Sequence, residues 1–162
     1  MKIFSSHGVF VETRMSWVKG MQFLAKNREH ETTFDVSREQ GGENSAPTPK
    51  EVLLNAMCAC SGMDVVSIAK KMRLEFSSVK IDAQAEKTNT IPSYFASVHV
   101  KYHLESDHPD REKTIRLVTL SMTKYCGVSY MVSKTTPITF EIHLNGQLIH
   151  EDKAEFSLEV LT

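Results

Sequence analysis

The alternation of apolar and polar positions divides the chain into short stretches arranged around one long apolar run. Val11, Thr13, Met15 and Trp17 alternate with Glu12, Arg14 and Ser16, which is the period of a strand. Lys19-Gly20 turns the chain into a second expected strand over Met21–Lys26, and Thr32–Ser37 is a third. Ser37–Pro47, SREQGGENSAP, is polar and glycine-rich and reads as a loop.

The long run is Thr48–Met72, TPKEVLLNAMCACSGMDVVSIAKKM. Thr48 is a cap, Pro49 suits the first helical position, and Glu51 stands where a capping box needs its carboxylate. Almost every later position is apolar or small, and such a helix is expected to be buried on most sides. Asn55, Ser61 and Asp64 interrupt the run, which leaves it short of the ~20 apolar residues that cross a bilayer. It is therefore expected to be a core helix that carries thiols.

Beyond it, Ser78–Lys87 alternates strictly and Tyr94–Glu105 repeats the pattern, with the hairpin-length KTNTIPSY between them. Two antiparallel strands with one wet face follow. A second helix is expected after SDHPD, capped by Asp107 and striped by Ile115, Val118 and Met122. The pattern breaks at Thr123–Gly127, and a short helix over Cys126–Ser133 is expected next. Ile138–Leu144 runs into Asn145-Gly146, a strong hairpin turn. A last strand is expected over Lys153–Val160. Strands, a buried helix, two strands, helix and strands make one α+β domain over residues 1–162, without internal repeats.

Composition narrows the partners. A net charge of −1 and a pI near 6.7 supply no basic face for nucleic acid or an anionic membrane. MKIFSSHGVFVETRM has no apolar signal core, so a cytoplasmic location is expected. Three cysteines are an odd count and fit poorly with a secreted disulfide framework.

Two of them, Cys58 and Cys60, lie two positions apart, or about 200° around a helix axis. They cannot bond to one another or share a metal while the helix holds, and the usual four-ligand zinc spacings are missing. Cys126 precedes Gly127; if it opens a helix, the free N–H groups there favour a thiolate. A buried thiol and a thiol at a helix start suit a peroxide-reducing pair that closes a disulfide. A cysteine in a core helix is more often a small hydrophobe, and from spacing alone both readings stay open.

PTPKEVLLNAMCACSGMDVV and TKYCGVSYM together resemble the OsmC/Ohr family of thiol-dependent hydroperoxide reductases, and the resemblance covers most of the chain. Pro49 followed by an acid, then Ala56 and Cys60, matches the motif around the family's reactive cysteine, and Cys126 matches its second. The resemblance implies antiparallel sheets wrapped around two long central helices in an intertwined homodimer. It makes Cys60 peroxidatic, Cys126 resolving and Cys58 an extra structural thiol. It further implies an organic hydroperoxide substrate in an apolar pocket lined in part by Met57. The expected reductant is a dithiol, lipoylated protein or a thioredoxin-like donor, with no cofactor and no metal.

Two departures stand out. The family's glutamate directly follows the proline, whereas here Lys50 does and the acid is Glu51, which also serves the capping box. The family's hairpin arginine is replaced by WVKGM, so Lys19 is the nearest cation, with Arg14 on the preceding strand. Lysine is a point charge without the arginine fork. The alternative function is a non-catalytic dimer of the same fold that binds an apolar small molecule. Asp64, one turn beyond Cys60, would oppose a thiolate and is read as structural. His99 and His103 alternate outward with Ser97 and Lys101 and read as a solvated face rather than half a metal site.

Overall fold

The computed structural model describes residues 10–157, and the chain is α+β. It divides into two compact units, Met1–Leu53 and Leu54–Thr162.

The first unit holds a three-stranded antiparallel sheet in the order β1-β2-β3, with β1 at Arg14–Lys19, β2 at Gln22–Asn27 and β3 at His30–Phe34. β1 starts later than Val11 because its partner strand ends first. Arg14 pairs with Lys26, and Asn27 turns its side-chain amide onto the Glu12 carbonyl at 3.0 Å. Gly20, at φ +47°, makes the turn between them. β3 begins at His30 rather than Thr32 and stops at Phe34, short of Ser37, because Asp35 takes over the backbone. Its Oδ1 accepts from the Val36 amide at 2.8 Å. Its Oδ2 accepts from the Glu43 amide (3.1 Å), the Ser45 amide (3.0 Å) and the Ser45 hydroxyl (2.7 Å). One carboxylate thus ties both ends of the 36–45 loop together. Gly42 closes it, since a Cβ there would stand 2.1 Å from the Val36 carbonyl oxygen.

The long helix, α1 (Pro49–Met72), begins in this unit. Its start is the expected capping box: Glu51 accepts from the Thr48 amide (2.7 Å) and hydroxyl (2.9 Å), and the Glu51 amide donates back to Thr48 Oγ1 at 3.4 Å.

The second unit holds the rest of α1 and a four-stranded sheet, β4 (Ser78–Lys87), β5 (Phe95–Glu105), β6 (Ile138–Leu144) and β7 (Gln147–Lys153). β4–β5 and β6–β7 are antiparallel, but β5 and β6 run parallel, a mixed sheet where a purely antiparallel one was expected. A parallel pair needs a crossover, and the helices between the strands provide it. These are α2 (Arg111–Leu120), a π-helical turn (Ser121–Tyr125) and α3 (Gly127–Ser133). Asp110, not Asp107, caps α2, its Oδ1 accepting the Lys113 amide at 3.0 Å. Pro109 steers the residue before it toward extended backbone, so the helix starts beyond it.

β7 begins directly after Asn145 and Gly146, both at positive φ, rather than at Lys153. A two-residue turn leaves no slack, so pairing resumes at Leu144–Gln147. Leu158 and Val160 of the expected strand lie outside the described residues.

Val98, Val100, Tyr102 and Leu104 of β5 and Ile138, Phe140, Ile142 and Leu144 of β6 face inward. They pack with Met57, Val65, Ile68 and Ala69 of α1 and with Leu117, Val118 and Met122. The other sheet face is charged. Glu141 is nearly buried there, bonded to Lys101 (2.7 Å) and His143 (3.0 Å), which together hold its pKa down at about 2. His99 and His103 belong to this face and pair with Glu141 and Asp82.

The expectation that α1 is buried on most sides is corrected. Its sheet-facing side is buried, but Ala56, Ala59, Met63 and Val66 form an exposed stripe, with Met63 72% exposed. Apolar residues occupy both faces, and one chain covers only one of them. Its 24 residues are also long and apolar enough to cross a membrane, contrary to the count made from the interruptions.

Candidate functional site

Cys60 and Asp64 lie one turn apart on α1, and the π-helical turn brings Cys126 to them. A π turn closes its hydrogen bond five residues back, here from the Cys126 amide to the Ser121 carbonyl at 2.9 Å. The extra residue per turn lets Ser121 and Cys126, at its two ends, both face α1. The Ser121 hydroxyl reaches Asp64 Oδ2 at 3.1 Å. The Cys60 sulfur, an Asp64 carboxylate oxygen and the Cys126 sulfur all lie within 4.8 Å of one another.

Cys126 is fully buried and caps α3. Its sulfur accepts from the Ser129 hydroxyl at 3.0 Å and from the Ser129 amide at 3.4 Å. Two donors would ordinarily favour a thiolate, as the position at a helix start led us to expect. Burial outweighs them and, with Cys60 alongside, pushes the Cys126 pKa up to about 11. The sulfur rests as a thiol, 3.9 Å from the Met57 carbonyl oxygen to which it donates.

Asp64 is half-buried, and that burial raises its pKa while the Ser121 hydroxyl works against the rise. A chain of hydroxyls stands behind it. Ser121 Oγ lies 2.8 Å from Ser61 Oγ, and Ser61 is in turn hydrogen-bonded to the Tyr102 hydroxyl. Ser61, Ser121 and Tyr102 are buried. Because the carboxylate only accepts, the chain is satisfied when Tyr102 donates to Ser61, Ser61 to Ser121 and Ser121 to Asp64. This network was missed in the sequence, although Ser61 and Asp64 stood out as polar positions in an apolar helix.

Among the other expected site residues, Met57 meets the Cys126 sulfur through its carbonyl. Met57 is core, 1% exposed. Cys58 is half-buried, its thiol pKa raised by burial and by Asp82, and all three cysteines are free. Glu51 and Lys19 belong to the first unit. Glu51 is in the capping box, Lys19 pairs with Glu43 at 2.9 Å, and Arg14 pairs with Glu12 at 3.2 Å.

The α+β fold with a cysteine on a long helix facing a second cysteine defines the class of protein. The family model for OsmC-like proteins matches residues 42–141, and the chain belongs to that family. Protein YhfA of Escherichia coli K12 is 29% identical over 130 residues, 80% of this chain and 94% of its own. A hypothetical protein of Aquifex aeolicus superposes with a TM-score of 0.72 at 27% identity, covering 85% of this chain and 99% of the other. An organic hydroperoxide resistance protein of Elizabethkingia anophelis shares the fold, with a TM-score of 0.66 at 13% identity, covering 87% and 100%.

Proposed function

We propose that this chain is a thiol-dependent peroxidase that reduces organic hydroperoxides. The observation that carries the reading is the approach of the Cys60 and Cys126 sulfurs to within 4.8 Å. The Cys60 thiolate attacks the distal peroxide oxygen, the O–O bond breaks, and the alcohol leaves with a proton. The Cys126 sulfur then displaces water from the Cys60 sulfenic acid and closes a disulfide. A dithiol, lipoylated or thioredoxin-like, reduces that disulfide by exchange. Structural neighbours described as organic hydroperoxide resistance proteins support the substrate class.

In this reading the chain works as one domain in a cytoplasmic homodimer. The exposed stripe of Ala56, Ala59, Met63 and Val66 supports the dimer, because a second α1 laid along it would give the two central helices of the expected architecture. Met57, whose carbonyl meets the Cys126 sulfur, would back an apolar binding surface for the peroxide.

The test is a free-thiol count on reduced protein before and after one equivalent of cumene hydroperoxide. Loss of two thiols per chain, reversed by dithiothreitol and abolished in Cys60→Ser, is expected. Cys126→Ser should react once and hold a sulfenic acid. A wild-type protein that keeps its thiols over minutes would overturn the reading in favour of a dimer that binds an apolar ligand without turning it over.

A further inference from the structure

A negative charge beside a peroxide-reactive thiol opposes formation of the thiolate. Asp64 nevertheless shares the site with both sulfurs, and it accepts from the Ser121 hydroxyl at the end of the Tyr102–Ser61–Ser121 chain of hydrogen bonds. We propose that, with its thiols reduced, this protein binds one thiophilic divalent cation, of which zinc is the prototype, through Cys60, Cys126 and Asp64.

The donor set fits that chemistry. Soft thiolates select zinc over magnesium or calcium, and a carboxylate is an accepted third ligand. Bond lengths of about 2.3 Å to sulfur and about 2.1 Å to oxygen put tetrahedral ligands about 3.6–3.8 Å apart. Separations within 4.8 Å stand about 1 Å from that geometry. Three protein ligands also leave a fourth position open, as in zinc sites that bind a water or an exogenous ligand.

Metal ligands are commonly held by outer hydrogen bonds, and both kinds of ligand have them here. Ser129 donates twice to the Cys126 sulfur, and Ser121 donates to Asp64. Cys58 has no part in the site. It lies about 200° around the helix from Cys60, and its charged neighbour is Asp82. Cys126, Ser121 and Asp64 meet only because the π turn brings one helix against another, so no sequence spacing announces the site. Binding requires reduced thiols but not peroxide chemistry. A Cys60–Cys126 disulfide and a bound cation exclude one another.

Zinc competition against a chromogenic chelator of micromolar affinity, on reduced and EDTA-stripped protein, tests the proposal, with cobalt as spectroscopic probe. One zinc per chain held against the chelator is expected, as are the intense visible bands and sulfur charge-transfer absorption of tetrahedral thiolate-bound cobalt. Asp64→Asn should weaken zinc by at least about 10-fold, since a direct ligand matters no less than the outer hydrogen bonds whose loss costs that much. Cys60→Ser and Cys126→Ser should abolish retention, and Cys58→Ser should leave it unchanged. Diamide oxidation of the wild type should release the metal, which tests the site without any variant. The proposal is overturned if wild-type protein yields its zinc to the chelator, if Asp64→Asn binds as tightly as wild type, or if Cys58→Ser removes the binding. Failure of the thiol count with peroxide leaves this result standing, and failure here leaves that one standing.

Discussion

Asp35 and Asp64 are both withdrawn from solvent, one in each compact unit, and their surroundings assign them opposite work. Asp35 is 2% exposed and accepts four hydrogen bonds, three of them from backbone amides of its own loop. Those donors, the Ser45 amide foremost, lower its pKa to about 2. Its charge is fully used in holding the loop. Asp64 takes one hydroxyl from Ser121, and burial, the dominant influence on it, raises its pKa. A carboxylate saturated by backbone is a structural part, whereas one left with spare lone pairs beside two thiols has capacity for a ligand.

The contrast breaks most visibly at Asp35. Asp35→Ala orphans the Val36, Glu43 and Ser45 amides, and the melting temperature should drop by about 5–10 °C. Thermal scans check this, and a drop under a degree or two would put the loop's organisation elsewhere.

Acid gives the next effect. Asp35 and Glu141 titrate near 2 in the folded protein, below their unfolded values near 4. Depressed carboxylates add stability that is complete above the unfolded pKa and is lost as pH falls through the folded one. Denaturant midpoints should therefore decline between about pH 4.5 and 2. Glu141→Gln should flatten part of that slope, and a slope unchanged in this variant would deny Glu141 its share.

Ser121→Ala removes the hydroxyl between the two halves of the Asp64 network and leaves Ser61 short of a partner. A loss of about 1–2 kcal/mol in urea unfolding is expected, together with weaker zinc retention. Stability lost with retention intact would separate the network from the site.

Asp64→Asn sits at the small end for stability. The melting temperature should move by no more than about 2 °C, because only one hydrogen bond, from the Ser121 hydroxyl, is altered. A collapse comparable with Asp35→Ala would make Asp64 a second structural aspartate and erase the contrast.

Much of the fold was legible because local chemistry dictates it. The Thr48–Glu51 capping box, the strict alternation of Ser78–Lys87 and the Asn145-Gly146 turn are short-range devices that need no distant partner. Errors arose where a distant partner decides. β1 starts at Arg14 because β2 ends opposite it, β5 and β6 are parallel because helices intervene, and α2 waits until Asp110. At the site the sequence singled out Cys60 and Cys126 through their resemblance to a family, and read Asp64 as merely structural. It gave no hint that Ser61, Ser121 and Tyr102 stand in line behind that aspartate.

The sequence alone determined the long helix, the alternating strands and the identity of the thiols, since these rest on periodicity, capping and residue chemistry within a few positions. Only the tertiary structure decided which thiol faces which, that Cys126 rests protonated despite its helix start, and that Asp64 shares their space. Proximity between groups some 60 residues apart, and the desolvation that comes with it, are products of packing, and packing is not written in any local stretch of chain.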